Sequence, residues 1–200
     1  MRLYSTPTSP YARKVRIALL EKNIHCDIEN VDLRDPEHAG KDQTPLGKIP
    51  VLLCNDGEAI YDSAVILHYL ELFHPEPALL PADPAEKIRC LRLEALADGI
   101  MDASIAWVQE HRRSKDCQDP GLLKKQRGKV QSGLAYLQAQ SRHWSTNDSD
   151  PLDLGQIAAV AAIGYVDLRA PELLVPNADL HRWYHALRDR PSIAATAAAE

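Results

Sequence analysis

The sequence predicts a two-domain α+β/α protein, a mixed first domain followed by one made only of helices. Three observations carry this. Strand and helix signals alternate through the first 75 residues, and everything beyond residue 85 reads as helix. Between them, Pro75-Glu76-Pro77-Ala78-Leu79-Leu80-Pro81-Ala82-Asp83-Pro84 places four prolines in ten residues, which cannot continue a helix and must run extended. The domains are therefore expected at 1–76 and 85–200, with a linker at 77–84.

Met1 to Ser5 reads as a short strand. Tyr11, Val15, Ala18 and Leu19 then recur at i, i+4, i+7 and i+8, the pattern of one buried helix face. Cys26 to Val31 is a second strand, and Pro36 to Asp42 a short helix or loop. Pro50 to Cys54 and Glu58 to Tyr61 form a hairpin across Asn55-Asp56-Gly57, whose Asp-Gly pair supplies a positive-φ turn. A further helix carries Ile66, Tyr69, Leu70 and Phe73 in an i, i+3, i+4, i+7 stripe, which completes the order βαβα then ββα.

In the second domain, residues 85–112 and 120–142 are long helices. Asp150-Pro151-Leu152-Asp153 resembles a capped start: an acidic cap, proline at the first position and a carboxylate three residues in. The helix it opens is apolar on nearly every side from Ile157 through Val166, so it belongs at that domain's centre. Leu180, Trp183, Tyr184 and Leu187 mark a last amphipathic helix, ahead of an alanine-rich tail at 194–199.

Composition excludes several functions. The chain of 200 residues is 45% hydrophobic and 26% charged, with a net charge of -5; nucleic-acid affinity rests on many Lys and Arg contacts to phosphate, so no nucleic-acid partner is expected. Short basic clusters such as Arg13, Lys14 and Arg16 read as solvated helix faces. The longest apolar run, Ile157 to Val166, is too short to span a bilayer, and Met1-Arg2-Leu3-Tyr4-Ser5 does not open a secretory signal. Cys26, Cys54, Cys90 and Cys117 form no C-x-x-C, which suits unpaired thiols in a reducing cytoplasm. His181 and His185 share a helix face at metal-ligand spacing without a third ligand, so no metal is expected.

Three short stretches of the first domain offer chemistry together. Ser9-Pro10 opens the first helix: Ser9 is either a plain cap or a hydroxyl donor at a helix start that favours an anion. Lys48-Ile49-Pro50 either starts a strand in the ordinary way or bends at a cis Pro50, leaving the Ile49 backbone free to pair with an extended peptide. Asp62-Ser63 is either a plain cap or a pocket in which Ser63 holds a carboxylate and Asp62 an ammonium. As a set they suit a small peptide carrying a thiolate.

These residues also resemble a family. Ser9-Pro10-Tyr11 with Arg13, Pro45-Leu46-Gly47-Lys48-Ile49-Pro50-Val51-Leu52, Asp62-Ser63, and Gly164-Tyr165-Val166-Asp167-Leu168-Arg169 are similar, across the whole chain, to a bacterial cytosolic glutathione S-transferase. The resemblance implies a thioredoxin-like first domain, an all-helical second one and a homodimer. It further implies that Ser9 donates a hydrogen bond to the glutathione sulfur, with Thr8 and Thr6 as rivals. Ile49 would pair with the cysteinyl unit ahead of Pro50, Lys48 lie near the glycyl end, and Asp62 and Ser63 hold the γ-glutamyl group. Asp62 stands where many members have glutamate, a longer reach, and a serine rather than a cysteine at position 9 favours conjugation over thiol–disulfide exchange. The expected activity is glutathione transfer to a hydrophobic electrophile, placed against Tyr11, Met101, Ile105 and Val108. The alternatives are a glutathione-dependent isomerase, dehalogenase or reductase, or a non-catalytic interaction protein. Asp98 and Asp102, at i, i+4 on one helix, are expected either to reach a partner's glutathione pocket or to lie on a solvated face.

Overall fold

The computed structural model describes residues 1–35, 37–174 and 178–198. Pro36, where the expected short helix or loop begins, and Ala199 of the alanine-rich tail lie outside these. The first part runs β1 (Arg2–Ser5), α1 (Pro10–Glu21), β2 (Asp27–Asn30), β3 (Val51–Leu53), β4 (Ala59–Ile60) and α2 (Ser63–Phe73). The four strands form one mixed sheet in the order β2-β1-β3-β4, with β2 parallel to β1 and the two other pairings antiparallel. This is the thioredoxin-like arrangement. The stretch expected as a short helix or loop carries a 3-10 turn at Lys41–Gln43.

Local chemistry sets the boundaries. Ser9 caps α1 with Pro10 at its first position, and α1 stops where Asn23 adopts φ 53°, a left-handed conformation asparagine tolerates. The hairpin turns at Gly57, φ 91°, closed by the Cys54 N–H donating to the Glu58 carbonyl at 2.8 Å. On α2 the buried face is Ile66, Leu67 and Leu70 rather than the expected stripe. Phe73, the last residue of α2, is exposed, with its ring 4.6 Å from that of Tyr69.

The Pro-rich linker is pinned. Buried Lys22 donates to the carbonyls of His74 and Pro77 at 2.7 and 2.8 Å and pairs with Glu71 at 2.6 Å. Glu71 in turn accepts from the N–H groups of Leu79 and Leu80, and the Leu79 carbonyl accepts from Leu154.

The helical part comprises α3 (Pro84–His111), α4 (Pro120–Ser141), α5 (Leu154–Arg169), α6 (Ala178–Ala186) and α7 (Pro191–Ala194). Asp83 and Asp119 each cap a helix whose first residue is proline. The cap of α5 lies three residues later than the sequence suggested. Asp153 accepts from the Gln156 N–H at 2.8 Å while the Gln156 side chain accepts from the Asp153 N–H at 3.0 Å, a reciprocal box that Asp150 has no partner to form. Asp150 instead offers its carbonyl to Arg190 at 2.6 Å. As expected, α5 is buried on nearly every side, and α3 and α1 pack against it. Among the described residues, no helix is long and apolar enough to cross a membrane, no three side chains are placed to hold a metal, and the four cysteines are free.

Candidate active site

The seam between the sheet domain and the helices opens into a cleft of about 690 Å³. One wall is the start of α1 with Thr6, Thr8, Ser9 and Tyr11, the loop from Thr44 to Pro50, and Tyr61, Asp62 and Ser63 at the head of α2. The other is helical: Asp102, Ile105, Ala106, Gln109 and Arg112 from α3, with Tyr165 and Arg169 from α5. Ser9, Lys48, Ile49, Pro50, Asp62 and Ser63 all line this one cleft, though more than 50 residues separate the first from the last.

Each of the three stretches has a structural job there. The Ser9 hydroxyl oxygen accepts from the Ala12 N–H at 3.2 Å, which leaves its hydrogen able to donate into the cleft. The Ile49–Pro50 peptide is cis, and the antiparallel ladder begins only at Val51, opposite Tyr4, so the Ile49 backbone stands outside the sheet pairing. The Asp62 carboxylate caps α2 by accepting from the Ala64 N–H at 3.1 Å and the Val65 N–H at 3.4 Å, while Ser63 beside it is buried. Ser9 and Asp62 thus fill the cap positions of their helices at the cleft wall, and the N-termini of α1 and α2 both give onto it, an arrangement that attracts negative charge.

The expected solvated basic face of α1 is instead buried. Lys14 is 0% exposed, with its ammonium 3.1 Å from Glu94 and 2.7 Å from Asp98. Burial pushes both carboxyls up, and the Lys14 charge pulls them back. Arg13 is also buried, over Gly164, where a Cβ would come 2.0 Å from its guanidinium. The reason is that α1 packs against α5, α2, α7 and α3, so only a narrow part of its surface reaches water.

Asp98 and Asp102 therefore face α1: Asp98 pairs with Lys14, and Asp102 accepts a hydrogen bond from the Tyr11 hydroxyl at the cleft wall. Burial, then the Asp102 hydrogen bond and charge, push the Tyr11 phenol far up, so it stays protonated. Of the four residues proposed from helix position for the electrophile, Tyr11 and Ile105 line the cleft. Met101 and Val108 are buried in the core and do not line the cleft. Gln109, Arg112, Tyr165 and Arg169 were not assigned from sequence. Their signal was spacing, since Ile105, Gln109 and Arg112 follow i, i+4, i+7 on α3, and Tyr165 and Arg169 lie i, i+4 on α5.

A family model for the glutathione S-transferase N-terminal domain matches residues 3–78. The GST-like protein YibF of Escherichia coli K12 is 38% identical over 98% of this chain and 98% of its own. The chain belongs to the glutathione S-transferase family. Among solved family members, a glutathione S-transferase from Methylobacillus flagellatus KT with glutathione bound superposes with TM-score 0.90 at 41% identity, covering 99% of each chain. A glutathione transferase family member from Pseudomonas fluorescens Pf-5, bound to S-(propanoic acid)-glutathione, superposes with TM-score 0.85 at 34% identity over the whole of both chains. The family relationship thus spans the mixed domain, the linker and the helices alike.

Proposed function

We propose that the protein is a glutathione transferase, with residues 1–76 binding glutathione, 77–84 linking, and 85–200 completing the electrophile site. The observation that carries this is the convergence of a capped helix start, an unpaired backbone edge and a second helix start on one wall of one cleft. Glutathione bound in one family member and S-(propanoic acid)-glutathione bound in another support the same reading.

In this reading glutathione, the co-substrate, lies extended along that wall. The Ile49 backbone pairs with its cysteinyl unit beside Pro50, Lys48 neutralises the glycyl carboxylate, and Ser63 with Asp62 holds the γ-glutamyl carboxylate and ammonium. Ser9 donates to the sulfur at the N-terminus of α1. A thiol is a weak nucleophile until ionised, and a helix start with a hydroxyl donor lowers a thiol pKa from about 8.5 to about 7 or below. The thiol proton leaves to solvent, the C–S bond forms at the electrophile, and the leaving group or electron pair departs on that partner. Among the described residues no cysteine lines the cleft, which favours conjugation over thiol–disulfide exchange. A homodimer in the cytoplasm is part of the proposal.

Calorimetry with glutathione tests the reading. Binding at micromolar to millimolar concentration, lost in Ser63→Ala with Ile49→Pro, is expected. A wild-type protein that ignores millimolar glutathione removes the enzymatic reading, and a monomeric mass by light scattering removes the dimer.

A further inference from the structure

The helical wall of the cleft carries two arginines that the glutathione reading does not use. Arg112 is the C-cap just after α3 and Arg169 is the last residue of α5, and both line the cleft with Lys48, Ile49, Asp62 and Ser63. Unlike Lys14 and Arg190, neither forms an ion pair among the described residues. Tyr165 lines the cleft with them: burial raises its phenol, and the charges of Arg112 and Arg169 both pull it back. In a chain of net charge -5, two unpaired guanidinium groups converging on one cleft wall are a local positive pole. Among the described residues, neither cleft carboxylate pairs with these arginines. Asp102 is engaged by the Tyr11 hydroxyl, and Asp62 caps α2 on the far wall.

We infer that Arg112 and Arg169, with Tyr165, form a carboxylate-binding subsite, so that the electrophile is a small α,β-unsaturated carboxylic acid rather than a purely hydrophobic molecule. The inference rests on the glutathione reading and narrows its second substrate. Ile105 and Ala106 beside the arginines supply a short apolar strip for the carbon skeleton, with the carboxylate at its cationic end. Guanidinium groups suit this, because each offers a planar fork to a carboxylate. The thiolate forms a C–S bond at the β-carbon and the C=C π pair shifts to the α-carbon, which takes a proton from solvent. No oxidant, reductant or leaving group is needed. The S-(propanoic acid)-glutathione bound by the Pseudomonas fluorescens family member is a conjugate of this chemical class.

Calorimetry with glutathione, S-propylglutathione and S-(2-carboxyethyl)glutathione tests it. The carboxyethyl conjugate is expected to bind roughly tenfold more tightly than the propyl conjugate, the size of one charge-assisted hydrogen-bonded contact. That ratio should shrink at high salt and collapse toward one in Arg112→Gln with Arg169→Gln, while Arg112→Lys with Arg169→Lys keeps part of it. In turnover, the enhancement over the uncatalysed rate should be greater for acrylate than for acrylamide. Glutathione binding with no preference for the carboxyethyl conjugate, or equal enhancement for acrylate and acrylamide, overturns this inference alone. Failure to bind any of the three ligands overturns the glutathione reading and this inference with it. The salt series uses only the wild-type protein, so it decides the matter even if the double variant does not fold.

Discussion

Replacing Lys14 by methionine removes the cation that pairs with both Glu94 and Asp98. The Lys14 ammonium lies 2.7 and 2.8 Å from the two oxygens of Asp98 and 3.1 Å from Glu94; the lysine side chain is 0% exposed, the Glu94 side chain 4% and Asp98 26%. Each contact is worth about 4 kcal/mol of attraction at an effective dielectric near 20, offset by the desolvation of three ions. Breaking such a pair by deleting one partner costs about 3–5 kcal/mol, because the other charges stay behind uncompensated. For a chain of this length that is a fall in melting temperature of about 6–20 °C. The pH dependence has a definite sign. Burial already holds Glu94 and Asp98 above the ordinary carboxylate range, and Lys14 is what lowers them, so both rise further in the variant. A carboxyl raised in the folded state favours folding below its unfolded pKa, and that contribution is lost as pH rises through the folded value. The deficit of Lys14→Met should therefore be largest at neutral pH and shrink on acidification toward about pH 4. Adding Glu94→Gln and Asp98→Asn should recover most of the loss at neutral pH. Urea melts across a pH series measure all of this. A deficit below about 1 kcal/mol, or one that does not change with pH, refutes the view that the buried charges are mutually dependent.

Other outcomes follow from the same structure. Ser9→Gly should cost only a few tenths of a kcal/mol in thermal melts, because glycine is a tolerable cap, yet slow glutathione conjugation on the order of a hundredfold; an unchanged rate transfers the donor role to Thr8 or Thr6. Tyr11→Phe should leave the apparent pKa of the conjugation pH–rate profile unmoved, since the phenol is held protonated, and a shifted profile would show that Tyr11 takes part in thiol ionisation. Gly155→Ala should destabilise by about 1–3 kcal/mol in urea melts, because its Cβ would sit 2.8 Å from the Cys90 carbonyl oxygen, whereas Gly99→Ala, open to solvent, should stabilise by about 0.5–1 kcal/mol. Arg190→Gln should cost about 3 kcal/mol near neutral pH. Burial raises Glu21, but the hydrogen bonds from Arg190 and Ser192 and the charge of Arg190 hold it below its ordinary value, so that stabilisation fades as pH falls, opposite in sign to the Lys14 site.

The fold was legible because its signals are local. Ser9-Pro10, Asp83-Pro84 and Asp119-Pro120 each announce a helix start through a side chain and a ring that act within three residues, and Gly57 announces its turn through backbone freedom alone. The α5 start was misplaced because Asp150-Pro151 offers the same local signal as Asp153, and only the reciprocal bond to Gln156 separates them. The sheet-domain wall of the cleft was legible for a related reason: Ser9, Lys48-Ile49-Pro50 and Asp62-Ser63 sit at helix and strand ends, where short motifs fix backbone geometry. The helical wall was not, because a cleft face of α3 and its core face alternate within one turn, and Met101 and Ile105 differ only in what packs against them.

By itself, then, the sequence determined the order of elements, the break at the prolines and the capped helix starts that face the cleft, since these depend on propensity, capping and spacing along the chain. Only the tertiary structure decided that Lys14 is a buried counterion rather than a solvated charge, and that Asp98 and Asp102 turn toward α1. It also decided that Arg112 and Arg169 line the same cleft. Charge pairing and burial depend on distances between residues about 60 to 90 positions apart, and no local pattern encodes which face of a helix another helix will cover.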